Sequence, residues 1–468
     1  MTAAVPAISA ALARFVAETR FENLPPRTVE MTKRCLLDAL GVTLAASTLG
    51  EGCAAFVELA EQQGGTAEST LIGFGRKVPA LMAAFANGSM AHALDFEDAH
   101  DRALQHPNAP TVPAALAVAE AVGGVDGKRL ITALAVGCEI VCRLGFALRV
   151  PLDDYGWYPP PILGAFGATA AAAHLYGLTT RQTLDAFSLA LCQATCSAEI
   201  KYSPNSVVRA VRDAFAAKTG VLSAQLACKG IAGFDLPFEG KAGFFALYAR
   251  GNYDPAELTR QLGKVFAIET ISFKPWPTCR GTHVYIEAAL ALAREHRLDV
   301  AGIRRIRACG NRINRMLAEP PAQKQQPATA IDAKFSIPFC VATALCHNAV
   351  TLDHFRHDAL SDPEVLGVAR RVSFEVIGSE TNKLANTLDV TRGSLEIETL
   401  DGRKLSKHLD RPYGHPERPL DDAALARKFL HCGRHAANHR GEATLQRVCD
   451  VVLALERCAD IGELTALL

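Results

Sequence analysis

Residues 92–106 form the densest group of titratable side chains in the sequence, with four carboxylates and three histidines within fifteen residues. The group follows an alanine-rich run, and Leu94 and Phe96 predict that part of it is held against the core. Burial raises the pKa of a carboxylate and a neighbouring histidine lowers it, so such groups can exchange protons near neutrality. The pattern indicates acid–base chemistry, and a helix C-terminus with capping charges is the alternative.

A second polar segment, residues 273–283, joins a predicted strand to a predicted helix. Pro275 and Pro277 restrict the path of this loop, which presents Lys274 and Arg280 near a helix N-terminus. That arrangement suits the binding of a carboxylate. The alternative is that Lys274 is a solvated loop lysine and that His283 is a residue that begins the helix.

Other chemistries have less support in the sequence. A divalent ion could bind among the carboxylates and histidines of residues 92–106, but these match no recurring ligand motif. Gly73-Phe74-Gly75 lacks the third glycine of a dinucleotide-binding loop, and the sequence has no GxxxxGK[ST], GxSxG or HExxH motif. We therefore predict no metal and no cofactor.

The elements that position these segments are mostly helices. From residue 8 to about 262, alanine-rich amphipathic runs follow one another and predict a compact all-helical domain. After two initial helices, further ones are predicted over 80–94, 113–122, 126–146, 164–176, 180–197 and 207–229.

The pattern changes after Asp254. Strands are predicted over 267–273, 303–308 and 371–377, and a hairpin over 394–404. A helix is predicted over 282–295, a buried helix over 334–347 and a loop over 320–327. Helices return over 421–432 and 442–457, and we expect them to pack on the first domain. The predicted fold class is mainly α, with a large all-helical domain over 1–265 and 409–468 and a small α+β domain over 266–408.

Composition limits the class of protein further. The 49 basic and 49 acidic residues give no net charge, so no global field attracts nucleic acid or an anionic membrane. The first residues show no basic start before an apolar run, and no charge-free apolar stretch reaches 18 residues. The 14 cysteines, such as Cys138, Cys142 and Cys192, occur singly and are read as reduced core residues. These features predict a cytoplasmic protein.

Four motifs together resemble the MmgE/PrpD family along nearly the whole chain: HALDFEDAHD with its following His-Pro pair, CEIVCRL, FKPWPTCRGTH and AKFSIPFCVATAL. The family includes 2-methylcitrate dehydratase, cis-aconitate decarboxylase and iminodisuccinate epimerase. The resemblance implies a helical domain with a smaller α+β lid, assembly as a homodimer, and a small di- or polycarboxylate as substrate.

The resemblance also implies roles for individual residues. Asp95 matches the aspartate of the family's D-F-D-D motif, and His106 matches the histidine of the His-Pro pair after one extra residue. Lys274 matches the lysine before a Tyr-Pro-Cys-Cys-type segment, and Arg280 lies in the Cys-Arg pair that follows.

Other positions depart from the family. Ala99 replaces a threonine of the decarboxylases, Tyr158 and Cys279 replace histidines, and Arg209 replaces a lysine. These changes argue against decarboxylation. The His-Pro pair continues as Asn108-Ala-Pro instead of the Ser-Asp-Asn that is usual in the dehydratases, which weakens dehydration. The structural alternatives are that Tyr158 only packs beside the prolines that follow it, and that Arg209 forms a salt bridge along its helix.

We therefore predict a cofactor-independent epimerase or isomerase that removes a proton next to a carboxylate of an iminodisuccinate-type substrate, with cations stabilising the resulting charge. A 2-methylcitrate dehydratase-like hydro-lyase and a non-catalytic carboxylate-binding protein are the alternatives. The predicted site residues are Asp95, His106, Tyr158, Lys274 and Cys279 as catalytic groups, and Arg209 and Arg280 as substrate-binding groups.

Overall fold

The computed structural model describes residues 8–203, 205–377 and 389–468. The first seven residues, which belong to the stretch in which no leader was recognised, lie outside these ranges. The described residues form twenty α-helices and six β-strands, which confirms the mainly α prediction. The division into two domains stays a prediction.

The helices of the N-terminal half are α1 Ile8–Glu18, α2 Pro26–Leu49, α3 Cys53–Gln62, α4 Ala80–Ala93, α5 Asn108–Val122, α6 Gly127–Ala147, α7 Pro159–Leu175, α8 Thr180–Leu191, α9 Val208–Val211, α10 Asp213–Cys228, α11 Phe244–Ala249 and α12 Pro255–Thr259. The later helices are α13 His283–His296, α14 Pro321–Gln325, α15 Ala330–Lys334, α16 Ile337–His347, α17 Pro363–Ala369, α18 Asp422–Gly433, α19 Glu442–Leu453 and α20 Gly462–Thr465. The strands are β1 Ser69–Leu71, β2 Arg76–Val78, β3 Ile303–Gly310, β4 Val372–Val376, β5 Gly393–Thr399 and β6 Lys404–Leu409.

Helices α4, α5, α6, α7 and α10 pack closely around one another. Small residues at their crossings make this possible. A Cβ atom on Gly167 would lie 2.2 Å from a methyl carbon of Val141 and 2.8 Å from the carbonyl oxygen of Gly137. A Cβ atom on Gly220 would lie 2.5 Å from the backbone of Ala168. The predicted close approach of alanine-rich helices is confirmed at these positions.

Four strands form a mixed sheet in the order β4-β3-β5-β6, with β3 and β4 parallel and the other pairs antiparallel. Alternate residues of β5 are buried, and α13 packs against β5 and β6. The predicted hairpin is confirmed as β5 and β6, with Gly402 in the left-handed conformation at the turn.

The predicted strand over 267–273 is wrong. Its first half is a short 3₁₀ turn, Ala267–Thr270, and its second half makes only an isolated bridge between Ser272 and Ala99. The segment is largely buried, and a short apolar run does not by itself distinguish a strand from other buried structure. This bridge holds residues 92–106 against the 273–283 loop.

Other boundaries also differ. The helix predicted from 113 begins at Asn108, the one predicted over 207–229 is divided at Arg212, and the predicted 320–327 loop contains α14. The β1–β2 hairpin was not predicted. Cys138 and Cys142 are buried as expected, whereas Cys192 is exposed.

The C-terminal helices α18 and α19 pack against α2, as the sequence predicts. One described helix, α6, is long and apolar enough to cross a membrane by length and composition alone. Its most apolar window is 89% buried within the protein, and it carries a buried ion pair between Glu139 and Arg143 at 2.7 Å. Both features are typical of a core helix.

Replacing Gly167 with alanine tests the close helix packing. The added methyl has no room against Val141 and Gly137, so we expect the free energy of unfolding to fall by about 2 kcal/mol, measured by chemical denaturation. The control is Gly367→Ala in α17, where a Cβ meets nothing within 4 Å; it should stabilise the protein by up to about 1 kcal/mol. Equal effects of the two substitutions would contradict this packing.

Candidate functional site

The backbone at residues 94–96, just after α4, is held by three buried ammonium groups. Lys334, Lys274 and Lys428 donate, in that order, to the three consecutive carbonyl oxygens of this segment, at Nζ–O distances of 2.9, 2.9 and 2.6 Å. Asp95 has a φ of 47°, a conformation that residues other than glycine rarely adopt. The three contacts from distant parts of the chain fix the segment in this conformation.

Two of these lysines also form buried ion pairs. Lys274 pairs with the carboxylate of Asp95, and Lys428 pairs with Asp38 at 2.6 Å. Burial would raise the pKa of Asp95, but the Lys274 ammonium, helped by nearby histidines, outweighs it and lowers this pKa to about 2. Burial lowers the pKa of Lys334 to about 7, because its ammonium has carbonyl partners but no carboxylate within hydrogen-bonding distance among the described residues.

Glu97 lies between two histidines. Its Oε1 atom accepts from Nδ1 of His92 and lies 2.8 Å from Nδ1 of His106, which is also 3.1 Å from the carbonyl oxygen of Asp98. These oxygens only accept, so both histidines carry their proton on Nδ1 when neutral. Nε2 of His106 is then left with a free lone pair. The His106 side chain is 16% exposed, whereas Glu97 and His92 are fully buried.

The charge of Glu97 follows from its neighbours. Burial would raise its pKa, but His92, Lys274 and His106 together lower it well below the usual value, so the carboxylate stays ionised. Burial, and then the charge of Arg212, lower the pKa of His92, which is therefore a neutral donor to Glu97. An ionised acceptor on Nδ1 fixes the orientation of the His106 ring and leaves Nε2 as its basic nitrogen.

Asp98, the next residue after Glu97, is a further fully buried carboxyl group. Burial and the neighbouring Asp38 raise the pKa of Asp98 to about 8, although Asn108 donates to its Oδ2 at 2.9 Å. Asp98 is therefore mostly protonated at neutral pH.

Three cationic side chains lie around the ring of Tyr158. The guanidinium carbons of Arg209 and Arg212 lie 5.6 and 5.2 Å from the centre of the Tyr158 ring, and Nζ of Lys201 lies 5.4 Å away. The proposed Arg209 salt bridge along the helix is not formed, because its guanidinium stacks on Phe335 at 3.5 Å.

The 273–283 loop supplies different groups than expected. Arg280 is held by Asp101, with distances of 2.9 and 3.2 Å, so it does not offer that edge to a substrate and instead ties the loop to residues 92–106. Burial and the charge of Asp95 raise the pKa of Cys279 to about 11, which keeps its thiol protonated. Cys279 therefore fits a proton donor and not a base.

The structure thus brings Asp95, His106 and Lys274 together and places Tyr158 beside Arg209. The sequence-based site omitted the partners that complete the arrangement. Glu97 and His92 stood inside the quoted cluster, and Lys334 inside the AKFSIPF motif, but no spacing showed what they touch. The omitted residues that we add are His92, Glu97, Arg212, Lys334 and Lys428.

The donor atoms of His92, Asp95, Glu97 and His106 lie within 4.8 Å of one another, a set that by type could hold a divalent ion. The charge around it opposes a cation. The ammonium of Lys274 contacts Asp95, and Arg212 is near enough to alter the pKa of His92. The hydrogen bonds to Glu97 account for the clustering.

Replacing Lys428 with methionine tests the fixation of residues 94–96. The change leaves the Asp38 carboxylate buried without its partner and removes the donor to residue 96, so we expect about 3–5 kcal/mol of destabilisation in chemical denaturation. Lys407→Met, which breaks an exposed pair with Glu295, should cost at most about 1 kcal/mol. Similar small losses for both variants would show that the buried contact is not important.

Asp98→Asn tests the buried carboxyl group. The pKa of Asp98 is higher in the folded protein than its ordinary 3.8, so its contribution to stability is present at low pH and is lost as the pH rises toward 8. The asparagine variant does not titrate there. We expect its stability relative to the wild type to increase by about 2 kcal/mol or more between pH 4 and 8. A difference in stability that does not change with pH would refute the shift.

Comparison with known proteins agrees with the motifs. A family model described as the MmgE/PrpD N-terminal domain matches residues 10–256, and the MmgE/PrpD C-terminal domain matches residues 276–453. The cis-aconitate decarboxylase-like protein oryM of Aspergillus oryzae is 29% identical over 98% of this chain and 97% of its own length. The cis-aconitate decarboxylase of Mus musculus is 26% identical over 96% and 91%.

A 2-methylcitrate dehydratase of Cupriavidus necator is 24% identical over 87% of this chain and 86% of its own length. These three relatives are named for lyase reactions, in which a bond to carbon is broken by elimination. The epimerase predicted from the sequence has no counterpart among them.

Proposed function

The chain belongs to the MmgE/PrpD family, and from this premise we propose that it is a hydro-lyase acting on a small polycarboxylate that carries a hydroxyl group. The enzyme removes a proton next to a carboxylate and expels the hydroxyl from the adjacent carbon as water. The observation that carries this proposal is His106, whose Nδ1 faces ionised Glu97 while its Nε2 is free to accept a proton.

The first step is the transfer of the proton from carbon to Nε2 of His106. Glu97 accepts the hydrogen bond from Nδ1 and stabilises the imidazolium that forms. The electron pair left on carbon spreads onto the substrate carboxylate, where buried cations stabilise the added negative charge. Arg209 and Arg212, beside Tyr158, supply positive charge. Lys274 also supplies positive charge, part of which is neutralised by its ion pair with Asp95.

The second step breaks the carbon–oxygen bond. The electron pair on carbon forms the double bond, and the hydroxyl leaves with a proton as water. Tyr158 and Cys279 are the candidate donors, since the thiol of Cys279 is protonated at neutral pH and Tyr158 lies among the cations. Solvent then returns the proton from His106 to the donor.

Decarboxylation is the second candidate, favoured by relatives named as cis-aconitate decarboxylases. Four positions at which the family resemblance implies decarboxylase residues carry other side chains here, at Ala99, Tyr158, Arg209 and Cys279. Elimination of water requires a base that removes a proton from carbon, a role that suits His106, whereas loss of carbon dioxide requires none. We therefore place elimination of water first.

The purified protein should be mixed separately with 2-methylcitrate, citrate and cis-aconitate. Elimination of water from a hydroxy acid produces an alkene conjugated to a carboxylate, which is followed by ultraviolet absorbance. Decarboxylation is followed by release of carbon dioxide from cis-aconitate. Rising absorbance without carbon dioxide supports the hydro-lyase, and carbon dioxide release instead supports the second candidate. A folded protein inert toward all three would contradict both.

His106→Gln should lower kcat of the reaction found in that assay by about 100-fold or more, because glutamine cannot accept the proton, while KM changes by less than about threefold. His100→Gln is the matched control, since His100 lies in the same segment but bonds to Thr270 and the backbone of Ala103. It should retain kcat within about threefold. A His106 variant with normal kcat would exclude this residue as the base.

A further inference from the structure

Two arginines at the break between α9 and α10 carry buried N–H groups that have no acceptor within the described residues. These groups are Nε of Arg209 and both Nε and Nη2 of Arg212. Arg212 is only 1% exposed and Arg209 only 8%. A buried charged donor without an acceptor is costly, and most buried polar groups in proteins have partners. Three such donors on two arginines that both lie near Tyr158 therefore favour an anionic ligand.

The orientation of Arg212 identifies the kind of anion. Its Nη1 donates to the carbonyl oxygen of Arg209 at 2.8 Å, which fixes the plane of the guanidinium. The unpartnered Nε and Nη2 share the opposite edge. That edge presents two parallel N–H groups, the spacing that matches the two oxygens of a carboxylate. The Asp213 carboxylate forms a buried ion pair with Arg212 at 3.6 Å from Nε, a distance that is too long for a hydrogen bond and leaves the donors of this edge without an acceptor among the described residues.

This edge belongs to the same polar interior as the proposed base. Arg212 lies 5.2 Å from the ring centre of Tyr158. Its charge acts on His92, which shares Glu97 with His106, and His92 and His106 have ring centres 5.0 Å apart. A carboxylate held by Arg212 is thus placed next to the groups that would transfer protons.

We propose that Arg212 binds one carboxylate of the substrate side-on through Nε and Nη2, with Nε of Arg209 as an additional donor, and that this subsite selects polycarboxylates. The proposal rests on the proposed function for the identity of the anion as a substrate carboxylate. Arg212 acts in binding and specificity; it transfers no proton.

Binding is tested without turnover by titrating tricarballylate, a tricarboxylate without a hydroxyl group, into the whole protein by calorimetry. Arg212→Lys keeps the charge but loses the two-pronged contact, and we expect it to weaken binding by about tenfold; Arg212→Met should weaken it by about 100-fold. Thermal unfolding of the unliganded variants checks that they are folded. The control is Arg181→Met, because Arg181 on α8 pairs with Asp185 and Asp235. This variant should bind tricarballylate as tightly as the wild type.

In steady-state assays Arg212→Lys should raise KM while kcat falls less than in His106→Gln. Wild-type tricarballylate affinity in folded Arg212→Lys and Arg212→Met would overturn the proposal. It would also be overturned if inorganic phosphate bound as tightly as tricarballylate with the same dependence on Arg212, since the site would then be a general anion site. Arg212-dependent tricarballylate binding in a protein without any lyase turnover would support the subsite and refute the hydro-lyase.

Discussion

The site depends on the fixation of residues 94–96 by three buried lysines. Three successive carbonyl oxygens receive hydrogen bonds from Lys334, Lys274 and Lys428, which reach the segment from a short helix, a loop and a C-terminal helix. Because Asp95 sits in the left-handed conformation, the segment does not simply continue α4. It turns, and the turn directs the following carboxylates and histidines into the interior. The packing of distant elements therefore determines the geometry of the site.

Burying so many charges is tolerable because nearly all are paired. Asp95 is matched by Lys274 and Asp38 by Lys428, while Asp98 avoids the cost by remaining protonated. The exceptions are informative. Glu97 remains ionised because two imidazole N–H groups and a nearby ammonium stabilise it, and Arg212 remains without an acceptor on one edge. Buried charges with atoms that lack a hydrogen-bond partner are frequent where a protein binds ligands or carries out chemistry.

The change from an epimerase to a lyase follows from the same features. The sequence-based argument relied on the loss of residues typical of other branches, at Tyr158, Arg209 and Cys279. The relatives found by comparison are named as decarboxylases and dehydratases, and in the structure Arg209 and Arg212 lie beside Tyr158, at 5.6 and 5.2 Å from its ring centre. Epimerisation, elimination of water and decarboxylation can all pass through negative charge on carbon, and they differ in whether only a proton, a proton with a hydroxyl, or carbon dioxide is lost.

The sequence by itself determined the mainly α class, most helix positions, the β5–β6 hairpin and the family, because helical periodicity, turn residues and motifs are local signals. It also located Asp95, His106 and Lys274 as a cluster. Only the tertiary structure decided that Arg280 is occupied by Asp101 and that residues 267–273 form no strand. It also decided that Glu97 contacts His106 and that one edge of Arg212 has no hydrogen-bond acceptor among the described residues. Pairing between residues more than a hundred positions apart depends on how helices pack, and no local pattern records it.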